Sequence, residues 1–181
     1  MDNPYTPFIA FLAFGTLILQ LLIVIGLVLL ILSFFVKKNS STAKLVRMIG
    51  QKAIVLGLIV ASASTLSSLF LSEVAGFTPC LLCWVQRIFM YPLVVILGVS
   101  YFLNDLKARI SALILSLIGF LYAVYHILVQ FFPASFKCSD EVANCALKSF
   151  MYYGYITIPV MSATAFLAII LLLVISFKTS K

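Results

Sequence analysis

The chain has 181 residues, of which 64% are hydrophobic and only 9% charged, whereas a soluble domain is about half apolar and about a quarter charged. A water-solvated globule is excluded, and lipid is the solvent that fits. The formal charge of +7 does not point to nucleic acid, because the basic residues sit in short loops between apolar runs and form no stripe or tail.

Five runs are long enough to cross about 30 Å of hydrocarbon: residues 8–36, 53–72, 81–103, 109–131 and 155–177. The expected fold is all-α, a polytopic membrane protein with five spans. The first run lacks a basic leader region and a small-residue cleavage pattern, so it reads as a retained helix. Its Gly15 and Gly26 do not have the spacing of a helix-dimer motif. It either packs beside the bundle or holds a partner. The connections fall at about 37–52, 73–80, 104–108 and 132–154.

Lysine and arginine set the expected orientation. The first connection carries Lys37, Lys38, Lys44, Arg47 and Lys52; the third, with its flank, carries Lys107 and Arg109; the tail has Lys178 and Lys181. The other side has only Lys137 and Lys148, against Asp2, Glu73, Asp140 and Glu141. Every alternate loop agrees, which predicts an outer N-terminus and a cytoplasmic C-terminus. All four cysteines then lie outside, where thiols are driven towards disulfides.

The second connection ends in Thr78-Pro79, read as a helix start with Thr78 as N-cap and Pro79 at the first helical position. Cys80 then lies in the first turn, where unpaired N–H groups and the helix dipole favour a thiolate. Cys80 and Cys83 form a Cys-x-x-Cys pair, able to cycle between dithiol and disulfide. Cys80 is expected to face the aqueous loops and Cys83 the lipid side. Arg87 stands one turn beyond Cys83, on the same helix face, and an arginine inside a membrane is a functional candidate by default.

His126, the single histidine, lies about five residues inside the outer end of the fourth span, and Arg87 about seven inside the third. At ~1.5 Å per residue both sit on the order of 8–10 Å below the surface, a pairing suited to the two carbonyl oxygens of a quinone. Gln86 and Gln130 add polar donors at that level. The last connection carries Cys138 and Cys145, followed by the interfacial run Phe150-Met151-Tyr152-Tyr153-Gly154-Tyr155. Four cysteines allow three pairings, and spacing does not choose among them.

Blander readings stand beside these. Two cysteine pairs have the composition of a zinc site, but they flank lipid in an oxidising compartment, and no metal is expected. Cys138 and Cys145 can be a structural staple, Arg87 can snorkel to the interface, and His126 can be a packed helix residue.

The segment Pro79-Cys80-Leu81-Leu82-Cys83-Trp84-Val85-Gln86-Arg87-Ile88-Phe89-Met90-Tyr91-Pro92 resembles the signature of the DsbB family of disulfide bond formation proteins, closest to its BdbC-like branch. Tyr125-His126 with Gln130, and Gly154-Tyr155-Ile156-Thr157-Ile158-Pro159 leading to Ser162 and Phe166, fit in the same order. The resemblance covers about residues 50–177. It implies a four-helix bundle in a bacterial cytoplasmic (inner) membrane, which reoxidises an extracytoplasmic thioredoxin-fold (DsbA-like) protein and passes two electrons to ubiquinone or menaquinone. By matching positions, Cys80 and Cys83 are the quinone-coupled pair, Cys138 and Cys145 meet the partner, and Arg87 and His126 lie at the quinone; Gln86, from its level in the span, is a further cofactor-binding candidate. Residues 1–50 then add a transmembrane helix and a basic loop to a redox domain at 51–181. The rival readings are a quinone reductase of the vitamin K epoxide reductase type and a non-enzymatic membrane protein with structural disulfides.

Overall fold

The computed structural model describes residues 4–35, 41–103, 105–133 and 145–179. Five helices carry the chain: α1 (Thr6–Phe35), α2 (Ser41–Leu69), α3 (Leu81–Leu103), α4 (Leu106–Phe131) and α5 (Ile158–Thr179). All five are long and apolar enough to cross a membrane, and the protein is a multi-pass membrane protein. No β-strand occurs among the described residues, apart from an isolated bridge between Tyr152 and Ile156.

Helix α5 is the centre of the bundle: 56% of its membrane window is buried, against 17% for α1. It packs on α2 and α4, while α3 packs on those same two helices from the other side. The core runs through Leu93, Leu97, Ala123, Phe166, Ile169 and Leu173. Lipid gives little hydrophobic drive between helices, so close packing through small residues does the work. Gly119 of α4 illustrates this, because a Cβ there would fall on the Phe166 ring. We expect Gly119→Val to lower the melting temperature and membrane abundance, by an overpacking penalty of about 1–3 kcal/mol. Thermal unfolding in detergent, compared with Gly98→Val where a Cβ meets nothing within 4 Å, checks it.

Helix α1 lies outside this bundle against α5 and α2. Gly26 brings it close to α5, where a Cβ would stand 2.9 Å from Leu171 Cδ2. Its far face, including Phe14, Ile18 and Leu21, is exposed and apolar, as a lipid-facing surface must be. Five contacts fasten the first half of the helix and the residue before it. Tyr5 and Phe8 pack on Phe70. The Tyr152 hydroxyl donates to the Thr6 carbonyl at 3.3 Å. Gln20 accepts from the Tyr155 hydroxyl at 2.7 Å and donates to Thr164 Oγ1 at 3.1 Å.

Helix boundaries depart from the sequence reading in three places. Helix α2 starts at Ser41 and not near 53, because the basic stretch is amphipathic. Val46, Gly50 and Ala53 are buried, at helical spacing, while Lys44, Arg47 and Lys52 are exposed or point away from that face. At its other end α2 widens into a π-helical turn, Phe70–Val74, closed by Ala75 N–H donating to the Phe70 carbonyl at 3.0 Å. Gly76, at φ 73°, then ends the helix in the left-handed conformation that glycine adopts without penalty. Helix α5 begins at Ile158 rather than 155, since the chain reverses at Tyr153 and Gly154 and pairs Tyr152 with Ile156.

The third departure bears on the chemistry. Helix α3 begins at Leu81, and the Cys80 carbonyl accepts its first hydrogen bond, from Trp84 N–H at 3.1 Å. Cys80 is therefore the N-cap residue itself, and Thr78-Pro79 precede the helix without regular structure.

Candidate active site

Cys80 and Cys83 stand at the head of α3 with their Sγ atoms 3.2 Å apart, both as free thiols. Cys80 is buried and Cys83 half-buried; Cys80 meets the last loop, as expected, but is covered by it and not open to water. Instead Cys80 packs with Leu82, Val129 and Cys145 in one cluster, against which Cys83 and Ala146 also lie. The two cysteine-bearing regions meet here. Cys145 is disulfide-bonded, and Cys138 lies outside the described residues.

His126 reaches this cluster from α4 and is only 2% exposed. Its Nε2 lies 3.2 Å from the Cys145 carbonyl oxygen and 3.6 Å from Cys80 Sγ. Its Nδ1 lies 3.0 Å from Gln86 Nε2. A carbonyl oxygen only accepts and an amide NH2 only donates. Both partners therefore select one tautomer, with the proton on Nε2 facing Cys80 and Cys145. Gln86, itself buried, is the side chain that orients the ring. We expect Gln86→Leu to slow disulfide exchange at Cys80 by about tenfold, because it leaves a buried ring nitrogen unpaired. Stopped-flow exchange over pH 6–9 checks this: the variant's profile changes shape, whereas a purely structural lesion would lower the whole curve.

Cys80 stands one residue before the α3 span. The hydrogen bond from the Cys83 thiol holds its own thiol below the ordinary value; burial opposes this, and the His126 contact adds to it. A thiol so lowered stays ionised above its shifted value and loses its nucleophilic form only as pH falls through it.

Cys80, Cys83 and His126 bring three donor atoms within 4.8 Å of one another, the composition of a soft-metal site. The nitrogen in that group is Nε2, whose contact with the Cys145 carbonyl needs its proton, so the ring presents no lone pair there.

A cavity of ≈630 Å³ opens beside the dithiol. Cys83, Gln86 and Arg87 of α3 line it, with Ser64 and Ser68 of α2 and Met161 of α5. Cys83 and Arg87 thus share a face as the spacing predicts. Arg87 is buried and donates from Nε to Ser68 Oγ at 3.0 Å and from Nη2 to the Ser68 carbonyl at 2.9 Å. Its guanidinium carbon lies 5.1 Å from the centre of the Trp84 ring, within cation–π range. Arg87 and His126 line the same cavity, but their polar contacts diverge, Arg87 to α2 and His126 to the cysteine cluster. Gln130 turns to the last connection and donates to the Leu147 carbonyl at 3.3 Å. The sequence reading missed Ser68 and Tyr91. Ser68 carries no signal beyond being a serine in an apolar span. Tyr91 stands four residues after Arg87 on the cavity side, a spacing that identifies it in hindsight.

A free, partly exposed dithiol beside a second cysteine region, capped by a fixed imidazole and set in a helical membrane bundle, is the site of a membrane disulfide oxidoreductase. The chain belongs to the DsbB family: the family model described as disulfide bond formation protein DsbB matches residues 50–176. It is 42% identical over 121 residues to a probable disulfide formation protein of Chlamydia muridarum, covering 67% of this chain and 89% of that one. It is 41% identical over 103 residues to the SPbeta prophage-derived disulfide bond formation protein B of Bacillus subtilis, covering 56% of this chain and 70% of that one. Disulfide bond formation protein C of the same organism is 38% identical over 115 residues, covering 62% of this chain and 83% of that one. No solved structure matches the chain.

Proposed function

We propose that this oxidoreductase draws two electrons from a reduced extracytoplasmic thioredoxin-fold (DsbA-like) protein and delivers them to a membrane quinone. One observation carries the reading. A dithiol that clusters with Cys145 borders, together with Cys145, a large cavity inside a membrane bundle with a buried arginine in its wall.

The residues fit a quinone. The cavity walls are chiefly apolar, with serine hydroxyls on α2, Gln86 and Arg87 on α3, and His126 and Gln130 on α4, the usual form of a small-molecule site. Arg87 and Gln86 supply N–H donors for carbonyl oxygens, and Cys83 is the more accessible thiol. A quinone held there supplies an acceptor for two electrons and two protons.

The chain's own part is thiol exchange. A donor thiolate attacks a Cys138–Cys145 disulfide, and its second thiol completes the exchange, so that the donor leaves oxidised and the loop pair becomes a dithiol. The loop dithiol attacks a Cys80–Cys83 disulfide in the same way, leaving Cys138–Cys145 reoxidised and Cys80 and Cys83 as two thiols. His126 Nε2–H lies where a hydrogen bond steadies the Cys80 sulfur as it leaves as a thiolate. Arg87 favours the Cys83 thiolate, from which the electron pair departs as Cys80–Cys83 closes again. Two electrons and two protons pass through per donor oxidised.

Orientation and organisation follow the same reading. The lysine and arginine bias puts the cysteine end outside the cytoplasm. Residues 51–181 form the redox unit, and residues 1–50 add α1 and the basic connection.

The test is quinone absorbance after mixing purified protein with a reduced, secreted thioredoxin-fold donor and either a benzoquinone or a naphthoquinone. One quinol formed per donor disulfide is the expected result. No quinol from either quinone, by protein that still exchanges disulfides with the donor, would overturn the quinone assignment.

A further inference from the structure

The first helix has no part in the exchange chemistry and lies before the family-matched residues 50–176, yet it borders the cavity. Leu12, Gly15, Thr16 and Leu19 line it. They stand at i, i+3, i+4 and i+7, one face of a helix. The Thr16 hydroxyl is engaged within α1, donating to the Leu12 carbonyl at 2.9 Å. The wall that α1 offers is therefore apolar, whereas Arg87 and Gln86 on α3, the serines of α2, and His126 and Gln130 on α4 put the polar donors on the other walls. At Gly15 a Cβ would meet nothing within 4 Å, so the missing side chain enlarges the cavity.

The wall is held in place. Thr6 is tied to Tyr152 on one side of the cavity-lining stretch, and Gln20 to Tyr155 and Thr164 on the other. A polar side chain spent on such a tie within an apolar helix is costly unless paired, and Gln20 is paired twice. The lining of α2 combines Ile59 and Val60 with the small residues Ala63, Ser64 and Ser67, and the small ones leave space between the two helices.

We propose that α1 is the lateral wall of the quinone site and that its Leu12–Leu19 face, with the gap at Gly15, receives the quinone's isoprenoid chain. This rests on the quinone reading above. The ring occupies the α3 side with Arg87 and Cys83, and the chain lies along an apolar helix beyond the residues shared with the family model. Gly15 then governs affinity through the chain and leaves the ring's contacts alone.

The experiment is a binding titration on the full-length protein, read by quenching of its one tryptophan, Trp84, which lies beside Arg87. A long-chain quinone and the same ring with a single isoprene unit are titrated into wild type, Gly15→Phe, the smaller Gly15→Leu and the control Gly98→Phe. Gly98 also has open space at its Cβ and lies outside the cavity lining. Gly15→Phe weakens the long-chain quinone by about tenfold or more and the short-chain one by no more than about twofold, with Gly15→Leu in between. Gly98→Phe shifts neither. Stoichiometric oxidation of a reduced thioredoxin-fold donor by each quinone-free variant reports that the fold is kept. Equal losses for both quinones would overturn the assignment of the chain to α1, and so would unchanged binding in Gly15→Phe. A wild type that binds neither quinone would instead overturn the quinone reading itself.

Discussion

Cys83→Ser abolishes quinone reduction, with turnover down by at least about a thousandfold, the scale of losing a nucleophile outright. The protein remains in the membrane at wild-type abundance, because Cys83 is a free thiol that closes no structural link. Hydroxyl for thiol is a small change at a half-buried position. What the variant loses is the second sulfur that expels a partner from Cys80. Cys80 lies in one cluster with Cys145, so a Cys80-linked mixed disulfide accumulates during turnover. Non-reducing gels, with donor present and absent, detect that species. A variant that merely loses abundance, with no trapped disulfide and unchanged specific activity, would return the cysteines to a structural role.

Arg87→Met raises the quinone KM by about tenfold or more and leaves the rate of disulfide exchange with the donor within about twofold, since a buried charge-assisted contact is worth about 1.5–3 kcal/mol. The argument starts from cost. A buried guanidinium whose hydrogen bonds go only to the neutral hydroxyl and carbonyl of Ser68 among the described residues, beside the Trp84 ring, is expensive inside a bilayer, and Met has similar length without the charge. Stability therefore falls little, because the penalty of a buried charge leaves together with its hydrogen bonds. Arg87→Lys recovers only part of the affinity, because one ammonium cannot span the side chain and carbonyl of Ser68 while facing a ligand. Ser68→Ala removes the Nε contact alone and produces a smaller KM change in the same direction. Separate measurement of donor exchange and quinone KM decides the case. A parallel loss in both would make Arg87 a structural brace between α2 and α3.

The features most legible in the sequence were those written in local spacing. Five apolar runs correspond to five helices because length and charge placement alone decide which segments enter lipid. Cys83 and Arg87 share a wall because a helix puts i and i+4 together. Contacts between helices carried no such signature. That Arg87 anchors on Ser68, or that Gln86 turns to His126, depends on how α3 crosses α2 and α4. The Thr78-Pro79 start misled because both residues have strong capping preferences in isolation, and the Cys80 backbone carbonyl prevailed by closing the first turn with Trp84. The α2 extension was hidden by its lysines, which mark the end of hydrocarbon and not the end of a helix. Cys80 was expected to face outward; the packing of Val129 and Cys145 over it could be known only with the last connection in place.

The π-helical turn at Phe70–Val74 amounts to a change of phase in a screw. One extra residue per turn rotates everything beyond it by roughly 100° relative to an uninterrupted α-helix. Below the turn, α2 keeps the pitch that meshes with α5. Within the turn itself, Phe70 meets Tyr5 and Phe8 of α1 while Leu71 is buried at the cavity. Adjacent positions of that one turn thereby meet α1 on one side and the cavity on the other.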